Sequence, residues 1–205
     1  MLYDPQRAVM SGDMPFSVFL EKARACRANE EVCTGLFGDR STYLPGLFFE
    51  PLAGFHFGSC GPVCVPSNIQ SEFYCDLPVI TAIVILSGEW TTSVAGSPFI
   101  TARKNMFMLS DWESVRGKSM APAQEEYCHV AISIEKDAIG RHFGKKAGEE
   151  ILQAVADALG GAPLIAGPAS ADVLSSAKQL LHMQKRGPLA TIALRGPCSI
   201  SSPAF

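Results

Sequence analysis

The segment formed by residues 73–89 places the strongest constraint on the fold of this chain. Its centre, residues 79–86 (VITAIVIL), is an almost unbroken apolar run rich in β-branched residues. The run is too short to cross a bilayer and is bounded by Pro78 and Ser87-Gly88, which is typical of a strand buried on both faces. We expect Ser87-Gly88-Glu89 to reverse the chain into a second strand at residues 90–95, which predicts a hairpin.

Short β-rich segments recur from residue 47 to about residue 134, separated by Gly, Pro and Ser turn signals. Many short strands at this spacing are typical of a sandwich or a small barrel. The last segment alternates, and we expect its even-numbered side chains, Cys128 to Ile134, to pack into the core. The predicted strands are residues 47–51, 55–57, 69–74, 79–86, 90–95, 99–101, 105–109, 114–118 and 126–134.

Beyond residue 135 the apolar periodicity changes from 2 to 3.6, which predicts helices at residues 136–143, 149–159 and 171–185. An earlier helix is predicted to begin near Pro15 and to end by Asn29, and residues 30–46 and 163–168 are predicted to be loop and linker. The fold class is therefore α+β and mainly β. The expected parts are an N-terminal helix and loop (1–46), a β domain (47–135), a helical region (136–195) and a tail (196–205).

Charge and composition exclude several function classes. The net charge of −3 provides no basic face for nucleic acid. The N-terminus has no apolar segment typical of a secretory signal, and no apolar run reaches transmembrane length. A cytoplasmic protein without membrane contact is the expected default, and the seven cysteines are expected to be reduced.

The sequence contains no recognisable catalytic set. It has no G-x-S-x-G nucleophile motif and no glycine-rich phosphate loop. A metal-binding cupin enzyme usually carries two histidines separated by one residue on an early strand and a third on a late strand. This chain offers only His56 early and His129 late, so a metal-dependent enzyme that uses these two residues stays open as the alternative to a binding domain.

Several passages resemble the N-terminal regulatory domain of AraC-type transcription regulators, in the branch related to siderophore-sensing regulators. They are residues 79–90, an apolar strand that ends in LSGEW; residues 105–109 (NMFML); residues 127–144 (YCHVAISIEKDAIGRHFG); and residues 180–195 (LLHMQKRGPLATIALR). This resemblance, over about residues 45–195, implies a cupin-like barrel that binds a small-molecule effector and a helix that dimerises. Such regulators continue with two helix-turn-helix units, so the expectation for this chain is a sensor without its DNA reader.

The sequence therefore predicts a non-enzymatic sensor domain with no cofactor, no metal and no direct nucleic-acid contact. For the effector pocket we name Phe48, Trp90, Tyr127 and His129, since aromatic side chains inside a barrel commonly line ligand sites. The alternative for each of these aromatics is a place in the ordinary core. For a homodimer surface we name the apolar stripe of the late helix, which could equally pack on its own barrel. This helix stripe consists of Val173, Leu174, Ala177, Leu180 and Leu181.

Overall fold

The computed structural model describes residues 15–18, 20–21, 33–35, 45–65, 68–94 and 96–184. The strands are β1 (Cys33–Gly35), β2 (Pro45–Leu52), β3 (Phe55–Val65), β4 (Ile69–Cys75), β5 (Val79–Ser87), β6 (Glu89–Val94), β7 (Ile100–Arg103), β8 (Met106–Trp112), β9 (Val115–Ala121), β10 (Gln124–Glu135) and β11 (Leu164–Pro168). The helices are α1 (Lys136–Phe143), α2 (Lys145–Leu159) and α3 (Ala171–Gln184).

Eight strands, β3 to β10, form a rolled-up double sheet. They pair in nested order, β6 with β7, β5 with β8, β4 with β9 and β3 with β10, as in a long hairpin that has been wound up. The larger sheet has the order β1-β2-β3-β10-β5-β8-β11 and the smaller sheet the order β4-β9-β6-β7. This nesting of antiparallel strands is the jelly-roll topology of cupins, so the predicted fold class is confirmed.

The predicted hairpin of residues 79–95 is wrong. β5 lies in the larger sheet and β6 in the smaller one, so the turn at Gly88 carries the chain from one sheet to the other. The side chain of Gln124 forms hydrogen bonds with both backbone groups of Glu89. Its Oε1 accepts from the amide nitrogen at 2.8 Å, and its Nε2 donates to the carbonyl oxygen at 3.2 Å. Gln124 thus satisfies both backbone groups of Glu89, just beyond the point where β9 stops pairing with β6.

Two predicted irregular segments contain strands. β1 lies within residues 30–46, and β2 begins there at Pro45. β11 replaces the predicted linker of residues 163–168 and pairs with β8 at the edge of the larger sheet, so the range 136–195 is not purely helical. The predicted tail, residues 196–205, lies outside the described residues, as does most of the predicted first helix, of which residues 16–18 and 20–21 are helical.

The larger sheet is buried on both faces, as the apolar run of β5 predicts. Its inner face packs against the smaller sheet around Ile85, Trp90 and Tyr127. Its outer face, with Val84 and Val130, is covered by α3. The even-numbered residues Cys128 and Val130 are buried as predicted, but their odd-numbered neighbours on β10 are the ones that face the barrel interior.

None of the described helices is both long and apolar enough to span a bilayer.

Candidate effector cavity

Register aligns a row of polar side chains across four strands on the inner face of the larger sheet. Ser133 on β10 lies opposite both His56 of β3 and Thr81 of β5, and Thr81 lies opposite Ser110 of β8. Thr81 Oγ1 and Ser133 Oγ are 2.8 Å apart, and Ser110 Oγ donates to the carbonyl oxygen of Thr81 at 3.2 Å. We call these four residues the polar row. Its hydroxyl groups are held by one another and by the backbone.

The next rows along the same strands differ in side-chain volume. Ala131 lies opposite Gly58 and Ile83, so on β3 and β10 little side-chain volume fills the space beside the polar row. One row further on, His129 lies opposite Cys60 and Ile85. A cavity of about 130 Å³ occupies this interior, and all of these residues except Cys60 and Ile85 line it.

His129, Trp90 and Tyr127 form an aromatic cluster at the cavity wall. The rings of Trp90 and Tyr127 are stacked, with centroids 5.6 Å apart and planes at 29°. The ring of His129 lies 5.4 Å from Tyr127 and 6.5 Å from Trp90. Tyr127 is 1 % exposed and His129 7 % exposed, so this end of the cavity is closed to solvent.

Burial holds the cluster uncharged. It lowers the pKa of His129 to about 4, because the protonated ring would lose its hydration without gaining a counter-charge. Burial also raises the pKa of the Tyr127 hydroxyl well above its usual range, with further contributions from Cys60 and Cys128. Near pH 7 the cluster therefore offers neutral hydrogen-bonding groups and aromatic faces.

An N-terminal segment lies at the other end of the cavity. Phe16 contributes to the lining and contacts the ring of His56 edge-on, with centroids 6.1 Å apart. The Ser17 amide nitrogen donates to Asp76 Oδ1 at 2.9 Å, and its hydroxyl donates to Oδ2. Burial opposes ionisation of Asp76, but the hydrogen bonds from Ser17, together with those from the backbone of Asp76 and Phe16, lower the pKa of this carboxyl. These contacts fix the segment against the barrel.

The smaller sheet completes the wall through hydrogen-bonded side chains. Trp90 Nε1 donates to Thr92 Oγ1 at 2.9 Å, and Thr92 Oγ1 lies 3.2 Å from Ser119 Oγ. Phe73 also lines the cavity, and its ring lies over Gly117, where a Cβ atom would overlap with it. Glycine at position 117 thus sets how closely Phe73 approaches β9.

Of the predicted pocket residues, the structure brings together Trp90, Tyr127 and His129. The side chain of Phe48 lies outside the described part; its backbone pairs with Gly58. That these residues bind an effector stays a prediction. The sequence analysis missed the polar row, although Thr81 had one visible signal: it is the only polar side chain in the apolar run of β5.

The histidines of the metal-enzyme alternative do not converge. His129 and the partner of His56, Ser133, are four residues apart on β10, which is about 13 Å of strand. His56 Nε2 instead lies 2.9 Å from Glu135 Oε1. Zinc-type ligands must lie about 2 Å from one shared ion, and within the described ranges no group of three His, Cys, Asp or Glu side chains is arranged to hold one.

Most of the helix stripe packs on its own barrel. Ala177 is 3 % exposed, and Leu174, Leu180 and Leu181 pack with it against the outer face of the larger sheet. Val173 is exposed. The assignment of this stripe to a dimer surface stays a prediction.

Comparisons with known proteins were made for the sequence and for the fold. The family described as "Regulatory protein PchR N-terminal domain" matches residues 62–198. No curated protein matches the chain in sequence.

Solved structures with a similar fold include regulators and a cupin protein. The AraC-like transcriptional activator CuxR is 7% identical, over 60% of this chain and 52% of that chain, with a TM-score of 0.36. Apo ToxT from Vibrio cholerae is 11% identical, over 67% and 49% of the two chains, with a TM-score of 0.45. A cupin 2 conserved barrel domain protein from Salinispora arenicola is 14% identical, over 56% and 88%, with a TM-score of 0.38. The match spans about half the length of each of the two regulators.

Proposed function

The chain belongs to the PchR N-terminal domain family of regulatory proteins, and from this membership we propose that it is the effector-binding domain of an AraC-type transcription regulator. The observation that carries the proposal is the cavity between the two sheets, with a buried, neutral histidine and two aromatic rings at its wall. Cavities with a mainly apolar surface and several placed polar groups are typical of small-molecule sites. The proposed role is binding, not catalysis.

The larger sheet offers a physical route from the cavity to the helical region. On β10, His129 and Ala131 face the cavity, whereas Val130 between them faces outward and packs in the same cluster as Ala177 of α3. Successive side chains of a strand point to opposite faces. A ligand that displaces β10 by a fraction of an ångström therefore changes the surface on which α3 packs. We propose that effector binding is transmitted in this way.

A variant that fills the cavity tests the proposed function. Ala131→Phe places a ring in the space between the polar row and His129, whereas Ala154→Phe adds the same ring to an exposed position of α2. In a screen of small metabolites by thermal unfolding, we expect ligands that raise the Tm of the wild-type chain. A ligand present at 100 times its Kd stabilises by about 2.7 kcal/mol.

The two variants separate a cavity ligand from a surface ligand. Ala154→Phe is expected to retain the Tm increase and Ala131→Phe to lose it, while both remain folded by circular dichroism. If every stabilising metabolite acts equally on Ala131→Phe, or if none stabilises the wild type, the proposed effector site is wrong.

A further inference from the structure

The described lining of the cavity contains no side chain with a permanent charge. It includes no Asp, Glu, Lys or Arg side chain among the residues that the structure describes. Its two histidines are His56, which is held by Glu135, and His129, whose ring stays neutral at pH 7 because burial lowers its pKa to about 4. A buried ion without a counter-charge is strongly disfavoured, so these walls select against charged ligands.

Hydrogen-bond accounting identifies which wall atoms are left for a ligand. The hydroxyls of Thr81, Ser133 and Ser110 and the Trp90 indole already have partners. In contrast, His129 Nδ1 is buried and has no hydrogen-bond partner among the described residues. Trp112 Nε1, on another wall of the cavity, is also buried and has no hydrogen-bond partner among the described residues. Buried polar groups in folded proteins are nearly always paired, and a bound ligand would provide the missing partner.

Shape and size restrict the ligand further. The stacked rings of Trp90 and Tyr127 stand beside His129, and a planar group packs well against such a surface. The cavity volume of about 130 Å³ is close to that of an engineered apolar cavity of about 150 Å³ that holds one benzene molecule. The space therefore fits a single ring with one small substituent, or the corresponding end of a larger molecule.

We propose that the cavity recognises an uncharged, single-ring group with a polar substituent, which forms a hydrogen bond with His129 Nδ1. This inference rests on the proposed effector site and adds its ligand class. His129 is then the residue that recognises the substituent, because a neutral imidazole can form a hydrogen bond with a hydroxyl or carbonyl group but supplies no counter-charge to a carboxylate or an ammonium group. Trp90 and Tyr127 provide the contact with the ring.

A set of four probes of nearly equal size tests this ligand class at pH 7: benzyl alcohol, toluene, benzoate and benzylammonium. Affinity is measured by calorimetry, and location by tryptophan fluorescence, because the only two tryptophans of the chain, Trp90 and Trp112, both line the cavity. Benzyl alcohol is expected to bind and to change the fluorescence. Benzoate and benzylammonium are expected to bind at least ~100-fold more weakly, because each would bury an unpaired charge.

The His129→Leu variant tests the hydrogen bond separately from the apolar contact. It is expected to lower the affinity for benzyl alcohol by about tenfold and to leave the affinity for toluene unchanged or higher. His129→Gln, whose amide group can still form a hydrogen bond, is expected to recover part of the loss. His182→Gln, at an exposed position of α3, is the matched control and is expected to change neither affinity.

Two results would overturn the ligand class. One is a charged probe that changes the tryptophan fluorescence at the same concentration as benzyl alcohol. That result would support binding in the cavity but would show that the proposed selectivity for uncharged ligands is wrong. The other is an equal loss of affinity for toluene and for benzyl alcohol in His129→Leu, or the absence of binding of either neutral probe to the wild-type chain. The charge comparison uses only the wild-type chain, so it holds even where a His129 variant does not fold.

Discussion

Replacement of Tyr127 by alanine is expected to lower the free energy of unfolding by about 3–5 kcal/mol, the range for removing a large aromatic side chain from a core. Tyr127 is among the largest fully buried side chains, and its ring contacts both Trp90 and His129. Its removal would enlarge the cavity at the closed end of the barrel, where the surrounding strands are held by pairing on both sides. Urea denaturation followed by circular dichroism measures the change.

A second tyrosine provides the matched control. Tyr74 is half-buried on β4, and its ring packs under the guanidinium of Arg116, 4.7 Å from the ring centroid. An exposed contact of this type contributes about 0.5–1 kcal/mol. Tyr74→Ala should therefore lower the free energy of unfolding far less than Tyr127→Ala does. Equal losses in the two variants would contradict the place of Tyr127 in the core.

His129 is expected to make folding stability depend on pH. Its pKa is about 4 in the folded protein and 6.5 in an unfolded chain, so the unfolded chain binds the additional proton as pH falls. The stability that the neutral ring provides is complete above about pH 6.5 and is lost as pH falls toward 4. The difference in pKa corresponds to a loss of roughly 3 kcal/mol.

Comparison with a variant isolates this contribution from that of the carboxylates. His129→Gln is polar but does not titrate, so its free energy of unfolding should fall less steeply than that of the wild type between pH 6.5 and pH 4. The measurement is urea denaturation at half-unit pH intervals. Parallel curves for the two proteins would show that His129 is protonated equally in both states and would contradict its burial as a neutral ring.

Most of the strands could be located from sequence because their signals are local, although β3, predicted to end at residue 57, continues through Gly61-Pro62 to Val65. The apolar run of β5 and the alternation of β10 each lie within a few residues of the turns that bound them. Which strands pair with each other was harder to predict from the sequence. Ser87-Gly88-Glu89 has the composition of a hairpin turn, but β5 pairs with β8 and β10, which lie further along the chain, and not with β6. β11 was missed because only its pairing with β8 distinguishes it from a linker.

The aromatic half of the site could be predicted, and the polar half could not. Trp90, Tyr127 and His129 stand out by residue type on strands that the sequence already indicates. His56 and Ser133 become neighbours only through the register of β3 with β10, and the carboxylate that holds His56 is 79 positions away along the chain. A register shift of one residue would turn Ser133 to the other face of the sheet. No local pattern determines this pairing.

Native mass spectrometry with elemental analysis tests the central claim most directly, namely that the barrel interior is a metal-independent site for a small organic molecule. After incubation with the metabolites that raise its Tm, the wild-type chain is expected to carry one organic molecule per chain and no stoichiometric metal. Ala154→Phe should retain that mass and Ala131→Phe should lose it. One transition-metal ion per chain, or an organic mass that Ala131→Phe retains, would contradict the claim.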